Sequence, residues 1–218
     1  MGVDTNVGGD MEETMTELID RMDDYQDWEG PAASEAWVNW TDMSAVYIKE
    51  EARCETCQQN TMSAVVQAPS MRLRFHEHTH THTVQEMINE QRPETRQLHC
   101  TTCDATTHSV VHSYTTAPLP RLLIVHLIRA LQDDVTIRTA VVGLDLITVG
   151  GELYELRCVG AHKWHPNIRK RHFVAFESET MLGAYNVYDD DILKAGHLNA
   201  TSEWLPYVLV YEQSNAAH

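Results

Sequence analysis

At 218 residues, 43% of them apolar, the chain has enough hydrophobic sequence to bury a core. Its formal charge of −16, with only four lysines, excludes a generic nucleic-acid binder, which needs clustered Lys and Arg to neutralise phosphates, and points to a basic protein as partner. No basic leader precedes an apolar run, and the most apolar stretch, Leu122 to Ile128, is interrupted by His126 and far too short to span a bilayer, so the expectation is a soluble, intracellular protein, cytoplasmic or nuclear, without a membrane partner.

Much of the negative charge comes early, since residues 1–30 hold ten acids against one base, Arg21. Within them, residues 10–25 read as an amphipathic helix with Met11, Met15, Leu18, Ile19 and Met22 on one stripe, started by Asp10 with Glu13 and ended by Gly30-Pro31. From about residue 44 the pattern turns to short β-rich runs: Ser44–Ile48, Thr61–Gln67, Met71–Phe75, Thr107–Thr115, Leu122–Ile128, Glu152–Val159, His172–Phe176 and Tyr207–Glu212. One short helix interrupts them over Thr83–Glu90, where Thr83 and Glu86 form a capping signature, Val84, Met87 and Ile88 supply an apolar face, and Pro93 closes the segment. No internal repeat or long linker divides the chain, and the fold class is α+β, dominated by antiparallel sheet.

Four of the five cysteines fall in two C-x-x-C pairs, Cys54 with Cys57 and Cys100 with Cys103, separated by forty-two residues. Each pair makes a tight turn, and returning strands bring the second to the first, which closes four thiolates around one Zn²⁺. A full thiolate shell leaves no open position for water, so the zinc is expected to be structural. The stretch from His76 to His80 formally contains H-E-x-x-H, the zincin signature. That motif works only on a helix, whereas Thr79, Thr81 and Thr83 alternate with His78, His80 and His82 at the period of an extended strand. A metalloprotease built on His76 and His80 is therefore the weaker reading.

After the second cysteine pair come segments that carry a family resemblance. Leu119-Pro120-Arg121-Leu122-Leu123-Ile124-Val125-His126-Leu127-Ile128-Arg129 resembles the L-P-x-x-L-x-x-H-L-x-R strand of ubiquitin-specific proteases, and Tyr154 to His162 is similar to their Y-x-L-x-x-V-x-x-H strand. Arg171-His172-Phe173-Val174-Ala175-Phe176 resembles the family's G-H-Y-V-A-F box, Tyr185 to Asp190 its W-x-x-F-D-D, Pro206 to Tyr211 its closing A-Y-x-L-x-Y strand, and Gly9 to Glu13 its Q-D-A-x-E helix start. The order and spacing agree from about residue 9 to 213. The resemblance implies the C-terminal portion of a papain-like cysteine protease domain. Residues 1–30 would be a remnant of the thumb and 31–218 the fingers and palm, with the zinc ribbon over about 44–117 and palm strands over about 118–213. It also implies a cradle for ubiquitin or a ubiquitin-like protein.

Isopeptide cleavage in this family needs a thiolate nucleophile, an adjacent imidazole and a group that orients it. By motif position the resemblance makes His172 the general base and acid, Asp189 its orienting partner and Asp190 a second candidate. The family's nucleophile lies in an N-x-C box upstream of the ribbon, and no cysteine precedes Cys54. Cys158, in an alternating strand beside Leu156 and Val159, reads as an inert buried thiol. Lys170-Arg171 stand where the family usually carries glycines that admit the ubiquitin tail, and Thr14 replaces an aromatic of the early helix. Two expectations follow: a deubiquitinase part that is inactive alone and completed by a Cys-bearing N-terminal half, or a catalytically dead module that binds ubiquitin or serves as a scaffold.

Overall fold

The computed structural model describes residues 43–75, 81–91, 94–129, 137–163, 172–178, 185–189, 192–196 and 204–214. The expected helix over 10–25, the His76–His80 run and Asp190 lie outside them. Two sheets carry the architecture. The first is four-stranded and antiparallel, in the order β2-β1-β6-β5, built from β1 (Val46–Arg53), β2 (Asn60–Ala68), β5 (Glu94–His99) and β6 (Thr106–Thr116). The second is eight-stranded, in the order β13-β12-β11-β10-β14-β7-β3, with β9 also paired to β10. Its strands are β3 (Met71–Arg74), β7 (Leu122–Ile128), β9 (Leu146–Val149), β10 (Glu152–Lys163), β11 (His172–Ser178), β12 (Tyr185–Asp189), β13 (Ile192–Gly196) and β14 (Trp204–Gln213). All its pairings are antiparallel except β3 with β7. A two-stranded parallel pair joins β4 (His82–Thr83) to β8 (Val141–Val142).

The strands expected from alternation are present, several of them longer than expected. Leu122–Ile128 is a strand over that same range, while β1 starts at Val46 rather than Ser44 and runs on to Arg53. Of the strands not anticipated, β5 and β13 are edges of their sheets, with only six and five residues in which to show a period, whereas β12 lies between β11 and β13. The short helix α1 (Val84–Asn89) forms as its signature predicts. The Glu86 N–H donates to Thr83 Oγ1 at 3.1 Å, and the Thr83 N–H donates to Glu86 Oε2 at 2.9 Å, an arrangement that holds the Glu86 carboxyl below its usual range. The Gln85 side chain docks this helix on β9 by donating to the Thr148 carbonyl and accepting from the Thr148 N–H.

The core lies on one face of the large sheet. Val84 and Met87 of the helix pack with Met71 and Leu73 of β3, Leu123, Val125 and Leu127 of β7, Tyr154 of β10, and Leu209 and Tyr211 of β14. In β10 the buried positions run 154, 156, then 159 and 161, because a bulge at Arg157 shifts the register against β14. The turn from β9 to β10 is the two-residue Gly150-Gly151, both at positive φ (58° and 92°), the backbone that a tight hairpin of this twist demands.

One buried charge ties the far end of the core together. Arg129, at the end of β7 and 1% exposed, donates from Nε to the Pro206 carbonyl (2.6 Å) and from Nη1 to the carbonyls of Ile137 and Thr139 (both 2.9 Å). Its guanidinium lies 4.6 Å from the Phe75 ring centroid and 5.9 Å from that of Tyr207. Burial lowers its pKa to about 10, so it stays charged at neutral pH. Pro206 sits in the otherwise central strand β14 beside a second register shift, where a missing N–H costs no ladder bond. Arg129→Ala would orphan three buried carbonyls, and we expect it to lower the unfolding free energy by about 3 kcal/mol or more in urea denaturation.

Candidate metal centre

The two hairpins of the small sheet point the same way. In β1–β2 the turn falls at Cys54–Gln59, in β5–β6 at Cys100–Ala105, and the antiparallel pairing of β1 with β6 (Tyr47↔Thr116 through Ala52↔Val111) puts both turns at one end. The turns are near copies. Gln58 donates its N–H to the Cys54 carbonyl (2.9 Å), as Asp104 does to Cys100 (2.9 Å), while Cys54 and Cys100 donate theirs to Gln59 (2.9 Å) and Ala105 (2.8 Å). Gln58 (φ 61°) and Asp104 (φ 58°) occupy the same left-handed position four residues after the first cysteine. Each loop thereby curls its backbone N–H groups toward the leading thiol. N–H groups of Cys57 and then Thr56 push Cys54 down to about 6, and those of Cys103 and then Thr102 push Cys100 down.

All four Sγ atoms lie within 4.8 Å of one another, with Cys54 to Cys103 at 3.7 Å and Cys57 to Cys100 at 3.6 Å. A tetrahedron with Zn–S bonds of about 2.3 Å has S–S edges of about 3.8 Å, so the separations fit a shared metal, whereas a disulfide would bring two sulfurs to about 2.05 Å. The five cysteines are free. Cys54, Cys57, Cys100 and Cys103 form a structural Zn²⁺ site whose four thiolates leave no place for substrate or water.

His172 opens β11, opposite Lys163 of β10, and Asp189 closes β12, opposite Ile192 of β13. Because β11 and β12 are antiparallel neighbours, with Ala175 facing Tyr188, these two backbone positions lie at the same end of the large sheet. Three rings cluster at that end: His162 lies 5.1 Å from Phe173 and 5.9 Å from Tyr207, and Phe173 lies 5.6 Å from Tyr207. His162, Tyr207 and Arg129 all belong to the strand motifs read from sequence, but the motifs assign them no role. Cys158, half-buried on β10, has its thiol pushed up by burial and then by Glu177, the opposite of an activated nucleophile.

No protein-family model and no curated protein matches the sequence. Solved structures do match. A chain of the SAGA Ubp8/Sgf11/Sus1/Sgf73 DUB module bound to ubiquitin aldehyde aligns at 15% identity with a TM-score of 0.65, covering 94% of this chain and 49% of the other. The same module bound to monoubiquitin gives 17%, 0.65, 94% and 48%, and the yeast SAGA DUB module with an Sgf73 mutant gives 16%, 0.68, 94% and 50%. The chain thus spans about half the length of the solved chains it matches. We expect close to one zinc per chain by elemental analysis, with Cys100→Ser losing the metal and the amide protection of β1 and β6 together. Over nearly its whole length, the chain has the fold seen in about half of those solved DUB-module chains.

Proposed function

We propose that this chain is the fingers-and-palm part of a ubiquitin-specific cysteine protease domain, a deubiquitinase part that works in the cytoplasm or nucleus. The four-thiolate clamp at the tip of a small sheet carries the reading, because it accounts for both cysteine pairs at once. The likeness in fold to chains solved in complex with monoubiquitin and with ubiquitin aldehyde supports it. In this reading the small sheet with its zinc ribbon forms the fingers, the large sheet forms the palm, and the acidic surface receives the basic faces of ubiquitin or a ubiquitin-like protein.

His172 would take the proton from an incoming cysteine thiol and later return one to the leaving amine, and Asp189, with Asp190 as the second candidate, would hold the imidazole in the tautomer that reaches the sulfur. The nucleophile comes from another segment, since the only cysteine outside the clamp is Cys158 and its thiol is held protonated. That same absence favours a second reading, in which the chain binds ubiquitin without cleaving it.

An electrophilic ubiquitin probe will form no adduct with this chain alone. Adding a Cys-bearing N-terminal half of the family will restore the adduct, and His172→Gln will slow its formation by a factor of roughly a hundred or more. Complementation that fails, with ubiquitin still perturbing the NMR spectrum of the small sheet, selects the non-catalytic reading. No perturbation at millimolar ubiquitin removes both.

A further inference from the structure

The four cysteines of the clamp are not equally exposed. In each hairpin the leading one is buried, Cys54 and Cys100, whereas the trailing one reaches solvent, Cys57 half-buried and Cys103 exposed. Close contacts between sulfurs run from hairpin to hairpin and join one of each kind: exposed Cys103 to buried Cys54 at 3.7 Å, and half-buried Cys57 to buried Cys100 at 3.6 Å. An accessible thiolate with a second thiolate beside it is the arrangement of a cysteine that oxidises reversibly, because the neighbour can resolve the first oxidation product. Cys158, on β10 of the other sheet, stands outside this cluster.

The backbone delivers these sulfurs to one place. β1 pairs with β6 through six residue pairs, from Tyr47↔Thr116 to Ala52↔Val111, so the ladder ends only two residues short of Cys54. Each turn then closes on itself with two backbone hydrogen bonds, between Cys54 and Gln58 or Gln59 in one hairpin and between Cys100 and Asp104 or Ala105 in the other. Closing either cross-hairpin contact into a disulfide asks its sulfurs to approach by about 1.6 Å.

We propose that the clamp is a redox latch, in which a metal ion and two hairpin-to-hairpin disulfides, Cys54–Cys103 and Cys57–Cys100, are alternative closures of the same two turns, exchanged by a peroxide. The Cys103 thiolate attacks one oxygen of hydrogen peroxide. An S–O bond forms as the O–O bond breaks, and the other oxygen leaves as hydroxide. The Cys54 thiolate then attacks the sulfenic sulfur and expels its hydroxyl as a second hydroxide, so that two thiolates lose two electrons and one peroxide gains them. Cys57 and Cys100 repeat the sequence with a second peroxide. Their sulfurs spent, the four residues no longer hold a cation, and the disulfides take over the tie between the hairpins. The latch rests on the clamp alone and is the same whether the chain cleaves ubiquitin or only binds it.

The test treats the full zinc-loaded chain with hydrogen peroxide. Zinc release to a metallochromic indicator and loss of the four clamp thiols should run together, and the product should weigh about 4 Da less than the reduced, metal-free chain. After tryptic digestion without reductant, the peptide holding Cys54 and Cys57 should be joined to that holding Cys100 and Cys103, with fragment ions pairing Cys54 to Cys103. A sulfenic-acid trap added with substoichiometric peroxide should mark Cys103 first, and Cys158→Ser should leave zinc release unchanged. In hydrogen exchange the oxidised chain should keep the amide protection of β1 and β6, which a chain stripped of zinc under reducing conditions should lose. A thiol reductant with zinc should restore the starting state. The proposal is overturned by disulfides confined to single C-x-x-C loops or pairing Cys54 with Cys100, by oxidation that runs to sulfinic or sulfonic acids, or by zinc that stays bound in excess peroxide. It is overturned equally by a trap that marks Cys158 or a buried cysteine first, or by β1 and β6 exchanging as fast in the oxidised chain as in the stripped one.

Discussion

Everything at the small sheet's tip hangs on four sulfurs converging within 4.8 Å. Like-charged thiolates repel at such separations, and the backbone N–H groups of the two turns offset only part of that cost. A divalent cation removes the conflict and, in the same step, closes the forty-two-residue excursion between Cys57 and Cys100, fixing two hairpins in one register. The paired left-handed residues Gln58 and Asp104 show how the loops meet this demand: each reverses the chain immediately after its second cysteine, so that the next strand can start.

A second constraint works at the other end of the molecule. Arg129 carries a full charge into a place where three chain segments meet, and it is tolerated because three carbonyls and two aromatic faces replace water around it. The same neighbourhood includes Tyr207, which also packs on His162 and Phe173. The end of the sheet that bears the His172 and Asp189 backbone positions is therefore built on a packed aromatic and cationic base.

The parts that sequence reasoning reaches are those governed by short-range chemistry. The C-x-x-C turns, the Thr83–Glu86 cap and the continuous apolar run of β7 each depend on residues within a few positions of one another, and all three appear in the structure. What escapes depends on pairing partners far along the chain. β5 and β13 have too little apolar alternation to announce themselves, and they become strands because a neighbour offers an edge. The slip in β10 from 154 and 156 to 159 and 161 is visible in the sequence as a broken period, but its cause, a bulge at Arg157, needs β14 to be seen. Arg129 reads as a motif letter until its carbonyl partners, on separate segments, come together around it.

The parallel pairing of β3 with β7 has a mechanical consequence. The backbone leaves the small sheet after β2 to lay β3 along the border of the large one, goes back through α1 to form β5 and β6, and crosses again into β7. Three crossings thus stitch the two sheets where a simple insertion would have two. The small sheet behaves as a cantilever rooted in the core rather than as a tethered flap, and a load applied at its metal-bound tip is delivered to β7 and so to the strand that ends in Arg129.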